Sequence, residues 1–156
     1  MTSSREPRHF LPMTGKTYKL GRIAIAFKAC GADTNGAYTL CETVEPPGSG
    51  ASLHRHPTYD ETFIICEGRF AFRLGDKDHE VGPGETLFVP RGTPHSFVCI
   101  GPENGRQLII SSPGGIFEAF IDDVVSAQVD SGDPTKPAPA VDFRAIAAKY
   151  GMEFLS

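Results

Sequence analysis

The sequence predicts an all-β protein, a double-sheet jelly-roll β-barrel of short strands followed by two C-terminal helices. Three observations carry that reading. Seventeen glycines and thirteen prolines in 156 residues are about a fifth of the chain, against an ordinary ~12%, which favours many short elements over a few long ones. Between residues 18 and 112, β-branched and aromatic runs alternate with turn residues and show no helical periodicity. After Pro113-Gly114-Gly115 the apolar spacing changes to a helical period.

Nine candidate strands run over residues 19–29, 37–44, 51–56, 61–66, 69–74, 79–81, 86–89, 95–100 and 107–111. They are punctuated by Asn35-Gly36, Pro46-Pro47-Gly48, Glu67-Gly68, Gly75-Asp76, Gly82-Pro83-Gly84, Pro90-Arg91-Gly92 and Gly101-Pro102. Glycine supplies the positive φ that reverses a chain, and proline presets the turn. Many short strands with frequent turns fit a jelly roll better than any parallel architecture. Beyond them, Ile116, Phe117, Phe120, Ile121 and Val124 share one helical face, with Asp122 and Asp123 turned away. Residues 126–140 carry Pro134, Pro137 and Pro139 and read as a linker. Asp142 is placed to cap a second helix with Phe143, Ile146, Ala147 and Tyr150 on one stripe and Gly151 as its stop. Both helices read as cover for the barrel. The expected organisation is one domain, with an arm over 1–17, a barrel over 18–112 and a helical extension over 113–156.

Composition narrows the function. A net charge of −4 with no basic run removes the electrostatic footprint expected of a nucleic-acid partner. The longest apolar run, residues 23–27, is far below the roughly 18 to 20 residues of a membrane span, so no membrane partner is expected. Residues 1–12 are polar and lack the apolar core of a secretory signal, which makes the cytoplasm the expected compartment. Cys30, Cys41, Cys66 and Cys99 form no C-x-x-C pair and read as free thiols.

The informative segment contains His54 and His56, two apart, then Glu61. In a strand, residues i and i+2 project from one face, so both imidazoles point the same way. Residues 57–60 turn the chain, Glu61 opens the next strand, and His95 opens another after the turn at 90–94. Three imidazoles and one carboxylate facing a barrel interior are a metal site by ligand type. His9 and His79 lie in charged surroundings and read as solvated, and Asp60 reads as a turn former. Tyr59 is a nearby hydroxyl without an assigned role. Phe63 and Ile65 share a face with Glu61, and Phe97 with His95. These residues either line an apolar pocket for a small organic ligand or simply fill the interior.

These residues resemble the cupins, small jelly-roll barrels that usually hold one divalent metal. The first motif of that family is matched at Gly48, His54, His56, Glu61 and Gly68 with every gap correct; the second is matched at Gly84, Pro90, Gly92 and His95, with Cys99 where asparagine is usual. The fifteen residues between the motifs are typical of compact bacterial members. The resemblance implies that His54, His56, Glu61 and His95 are the metal ligands, and that Gly68, Gly84 and Gly92 are turn positions. Cys99 falls on the His95 face, four residues on, as a thiol that either tunes the metal or packs as a structural side chain.

Four protein ligands around a metal with an octahedral preference leave two positions for substrate and O2. The resemblance to small quercetin-dioxygenase-like cupins then implies a mononuclear dioxygenase acting on an enol, phenol or flavonol-like compound, with Glu61 as ligand and catalytic base. Iron(II) is favoured, with manganese, nickel, cobalt and zinc also compatible with the ligand types. The alternatives are a non-redox isomerase, cyclase or decarboxylase of small carbonyl compounds, and a small-ligand-binding module without turnover. A homodimer formed through the N-terminal strand region is expected, because exposed sheet edges are commonly covered by a partner chain.

Overall fold

Eleven strands and two helices are formed among residues 5–128 and 140–155, the residues described by the structure, a computed structural model. The strands are β1 (Lys16–Leu20), β2 (Ile23–Ala29), β3 (Thr39–Glu45), β4 (Gly50–Arg55), β5 (Asp60–Glu67), β6 (Phe70–Leu74), β7 (Lys77–Val81), β8 (Thr86–Val89), β9 (His95–Cys99), β10 (Gly105–Ser112) and β11 (Glu153–Phe154). Helix α1 (Ile116–Ala127) and helix α2 (Phe143–Lys149) lie between β10 and β11.

Pairing is nested. The hairpin β6–β7 sits at the centre of the chain's path, and β5 pairs with β8, β4 with β9 and β3 with β10, all antiparallel. Successive pairs fall in alternate sheets, which is the winding of a jelly roll. One sheet has the order β1-β2-β3-β10-β5-β8 and the other β11-β4-β9-β6-β7. The ladders do not close on each other: β1 and β8 are the edges of the first sheet, and β11 and β7 those of the second. The expected barrel is thus two open, facing sheets joined through side chains.

Alternation fixes which side chains meet between them. Along β10, Gly105, Gln107, Ile109 and Ser111 are buried, and along β5, Glu61, Phe63 and Ile65 are buried. Phe63 meets Phe72 at 5.1 Å and Phe97 at 5.6 Å between ring centroids, and Phe70 joins the cluster at 6.1 Å from Phe72. Edge-on aromatic contacts of this kind add specificity to apolar burial.

Three elements differ from the sequence reading. Residues 19–29 are not one strand: Gly21 takes φ 60° and the chain reverses, so that Leu20 pairs with Ile23. A single glycine with no proline or asparagine beside it is a weak turn signal, which is why this hairpin escapes local patterning. Helix α1 extends through Ser126 and Ala127, which the reading gave to the linker. The short strand β11 was not expected at all. Pro134, Pro137 and Pro139 lie outside the described residues. The capping of α2 is as expected, with the Asp142 side chain accepting from the Ala145 N–H at 3.0 Å and Gly151 at φ 73°.

Polar contacts dock α1 on the first sheet. Glu118 accepts from the Gly31 N–H at 2.6 Å and from the Thr39 hydroxyl at 2.5 Å, and Asp122 accepts from the Tyr18 hydroxyl. Asp123 accepts from the Tyr150 hydroxyl at 2.5 Å and pairs with Lys149 at 2.9 Å, which ties α2 to α1. Among the described residues no helix is long and apolar enough to cross a membrane.

Gly50 shows how closely β4 and β9 approach. A Cβ there would collide with the Phe97 carbonyl oxygen. Glycine is needed at this point by backbone proximity rather than by φ. Gly50→Ala is therefore expected to force the two strands apart and lower stability by about 1–3 kcal/mol, measured as a reduced urea midpoint. An unchanged midpoint would show that the strands have slack at this position.

Candidate metal centre

Four side chains converge where the two sheets face each other. His54 comes from β4, His56 follows the end of that strand, and His95 opens β9 with His54 as its cross-strand partner. Glu61 projects from β5 in the opposite sheet. One ligand atom from each of the four lies within 4.8 Å of the others, so the group could hold a metal ion. The structure thus brings together the four residues that the sequence singled out.

Local turns aim them. Gly48, Gly68, Gly84 and Gly92 all have positive φ, between 76° and 89°. In the turn before His95, the Gly92 N–H donates to the His56 carbonyl at 3.1 Å, joining the two histidine segments. Asp60 accepts from the Arg91 N–H at 2.8 Å and from its guanidinium at 3.1 Å. Its carboxylate is therefore committed to that turn, as a turn-forming role requires. His9 and His79 are exposed, as expected. Cys99 is fully buried and its thiol donates to the Glu103 carbonyl at 3.5 Å, so it packs as a structural side chain at the far end of β9.

The hydrogen bonds around the imidazoles settle which nitrogen is offered. Nδ1 of His54 lies 2.7 Å from the Ser52 carbonyl, Nδ1 of His56 3.0 Å from the Tyr59 carbonyl, and Nδ1 of His95 2.8 Å from the Thr93 carbonyl. A carbonyl only accepts, so each Nδ1 carries the proton and donates, and each Nε2 is left for a cation. Nε2 of His56 is 2.8 Å and Nε2 of His95 is 3.0 Å from Glu61 Oε2, and the two nitrogens are 3.3 Å apart. Three acceptors this close repel one another unless a proton or metal ion sits among them. The donor set therefore fits a divalent metal of the nitrogen- and oxygen-preferring kind.

Electrostatics point the same way. Burial and the neighbouring His95 push the His54 pKa down to about 4, which leaves it neutral at pH 7. Burial would raise Glu61, but His56 and His95, whose Nε2 atoms donate to it when the rings are protonated, outweigh burial and hold the carboxyl at about 2. Burial opposes a charge on His56, yet the Glu61 carboxylate wins and the net shift is upward. One ionised carboxylate thus stands ready among imidazoles that compete for a cation.

Tyr59 proves more than a neighbour. It is 1% exposed, and its ring stacks on His56 with centroids 3.9 Å apart and planes 4° from parallel. Carbonyl and ring together fix His56 in both position and rotation. The Tyr59 hydroxyl reaches Met152 Sδ at 4.0 Å, and β11 places Phe154 opposite His54 on β4. Only adjacency to Glu61 hinted at Tyr59 in the sequence, and nothing local hinted at the C-terminal contacts.

The group opens on a cavity of about 440 Å³ whose wall includes His54, Glu61, Phe63, Phe97, Phe117 and Phe120. Of the three residues expected either to line a pocket or to fill the interior, Phe63 and Phe97 line the cavity, while Ile65 is buried outside its wall. Helices α1 and α2 supply part of this wall through Phe117, Phe120, Ile121 and Phe143, so they are more than outer cover. Among the wall residues that sequence reasoning missed is a carboxyl group, Glu45 at the end of β3.

Facing open sheets wound from nested strand pairs, with three histidines and a glutamate converging between them, define a jelly-roll module with a candidate metal centre. Residues 42–111 match the Cupin domain family. The uncharacterized protein MJ1618 of Methanocaldococcus jannaschii is 40% identical over 75 residues, covering 48% of this chain and 60% of that protein. Quercetin 2,3-dioxygenase of Bacillus subtilis is 28% identical over 102 residues, covering 65% of this chain and 28% of that enzyme. The match thus spans less than two thirds of either curated relative. Among solved structures, that of a predicted oxalate decarboxylase, tm1287 from Thermotoga maritima, aligns with a TM-score of 0.55 at 26% identity, covering 58% of this chain and 80% of that one.

Glu45 has a measurable consequence. Burial pushes its carboxyl from 4.5 up to about 7, against the hydrogen bonds it accepts from Thr43 and Gln107. A carboxyl whose folded pKa is raised adds stability that is complete below the unfolded value and is lost as pH rises through the folded one. Glu45→Gln, which keeps the shape without the charge, should therefore gain on the wild type between pH 4.5 and 8, by on the order of 3 kcal/mol. Urea unfolding of both proteins across that range checks this; a constant difference would contradict it.

Proposed function

We propose that the chain is a mononuclear metal-dependent enzyme, a dioxygenase acting on a small enol, phenol or flavonol-like compound. The observation that carries this is the convergence of His54, His56, His95 and Glu61 into one group, two of which, His54 and Glu61, line a largely apolar cavity. The identity with quercetin 2,3-dioxygenase over 102 residues supports it. A bound iron(II), the favoured metal, would supply charge to acidify a substrate hydroxyl and redox capacity toward O2. The chain's own residues do the rest. Glu61 is held ionised by His56 and His95 and faces the cavity, where it can take the hydroxyl proton on its carboxylate. Phe63, Phe97, Phe117 and Phe120 exclude water and suit a flat aromatic compound.

A second reading is non-redox chemistry, an isomerisation, cyclisation or decarboxylation of a small carbonyl compound. It is favoured by the 26% identity with the predicted oxalate decarboxylase. Oxygen consumption separates the two readings. Iron-loaded protein is expected to take up O2 with at least one of a panel of flavonols, catechols and diketones. Conversion of a substrate under argon without O2 uptake would replace the oxygenase by the second reading.

The ligand assignment is checked by metal analysis. His54→Ala and Glu61→Ala should each retain less than about a tenth of the wild-type metal after dialysis. Near-stoichiometric metal in both would overturn the assignment.

A further inference from the structure

The cavity has a second polar group in its wall, away from the four converging ligands. Glu45 is 1% exposed and lines the cavity together with Thr43. One carboxyl oxygen, Oε1, accepts from the Thr43 hydroxyl at 2.6 Å and from Gln107 Nε2 at 3.0 Å. The other, Oε2, has no hydrogen-bond partner, and neither has Gln107 Oε1. A buried polar atom left unpartnered is costly and calls for a specific explanation. Packing alone does not give one, because Thr43 and Gln107 are already accommodated by the other oxygen.

Position along the sheet gives the explanation a direction. Glu45 pairs with Gly105 on β10, and Glu61 pairs with Ser111 on the same strand. Six residues of extended chain separate those anchors by about 20 Å, and the wall between them is apolar, with Ile25, Phe63, Phe97 and Ile109. The cavity thus has a carboxyl group toward each end of β10, with the apolar pair Phe63 and Ile109 between them.

We propose that Glu45, held by Thr43 and Gln107, is a second ligand-binding residue of this cavity, hydrogen-bonding a hydroxyl or carbonyl group on the end of the ligand remote from the His54/His56/Glu61/His95 group. The ligand class is then an elongated aromatic compound with oxygen functions at both ends. This rests on the proposed function for the end at the candidate metal centre, and adds a specificity residue at the other end.

The test uses the full-length protein loaded with zinc, which is redox-silent, and two probes: 3-hydroxyflavone and its 4′-hydroxy derivative. They differ by one hydroxyl at the end remote from the 3-hydroxy-4-keto pair. The wild type should bind the 4′-hydroxy probe about tenfold more tightly, the worth of one hydrogen bond. In Glu45→Leu that preference should fall to less than about twofold, with the 3-hydroxyflavone affinity retained. Glu45→Gln, which keeps hydrogen-bonding capacity, should restore part of it. Because Glu45→Leu also strips Gln107 of its partner, a second measurement stays within the wild type. The Glu45 carboxyl ¹³C resonance, assigned by its loss in Glu45→Gln, should move on adding the 4′-hydroxy probe and stay still with 3-hydroxyflavone. Binding of both probes without discrimination, or discrimination that survives Glu45→Leu, overturns the role of Glu45 and leaves the metal-site reading standing. Failure of both probes to bind zinc-loaded wild type overturns the flavonol-like reading and this proposal together, and binding of 3-hydroxyflavone alone overturns the role of Glu45.

Discussion

The Nδ1–H groups of His54, His56 and His95 each donate to a backbone carbonyl two or three residues away, at Ser52, Tyr59 and Thr93. These short local bonds decide the tautomer, and the tautomer leaves each Nε2 lone pair free for a cation, with those of His56 and His95 directed at Glu61. The repulsion among these acceptors is relieved by a proton or a metal ion among them. The turns at 57–59 and 90–94 put the Tyr59 and Thr93 carbonyls where the His56 and His95 rings need them, while the Ser52 carbonyl is supplied by β4 itself. Tyr59 adds a flat face against His56, and the Asp60–Arg91 pair fixes the loop that presents Thr93.

That constraint also links site to fold. The histidines belong to the β4–β9 side and Glu61 to β5 in the other sheet, and the two ladders are open. An ion shared among them would clamp together sheets that otherwise meet only through side chains, so its binding energy would add to the stability of the folded state. The apolar interior serves both ends of this arrangement. Phe63 and Phe97 pack the sheets together and also form the wall on which a ligand would lie.

Much of the candidate site was legible because it is written in local code. Period-two alternation puts His54 and His56 on one face, and Gly48, Gly68, Gly84 and Gly92 mark turns that only positive φ allows. The helix-capping Asp142 and the stop at Gly151 are equally local. What escaped depends on residues distant in sequence. Glu45 and Gln107 lie 62 positions apart and Tyr59 and Met152 93 apart, so no window of sequence holds both partners. Open sheets rather than a closed barrel follow from hydrogen bonds the edge strands do not make, which composition and turn spacing do not encode. The hairpin at Gly21 failed for the opposite reason: its signal is local but consists of one residue.

The account stands on the imidazole tautomers, and ¹⁵N NMR of the zinc-loaded protein reads them directly. It predicts that His54, His56 and His95 each carry a proton on Nδ1 and show the Nε2 shift of a metal-bound nitrogen. A proton on Nε2 of any of the three, or zinc held through an Nδ1, would contradict it.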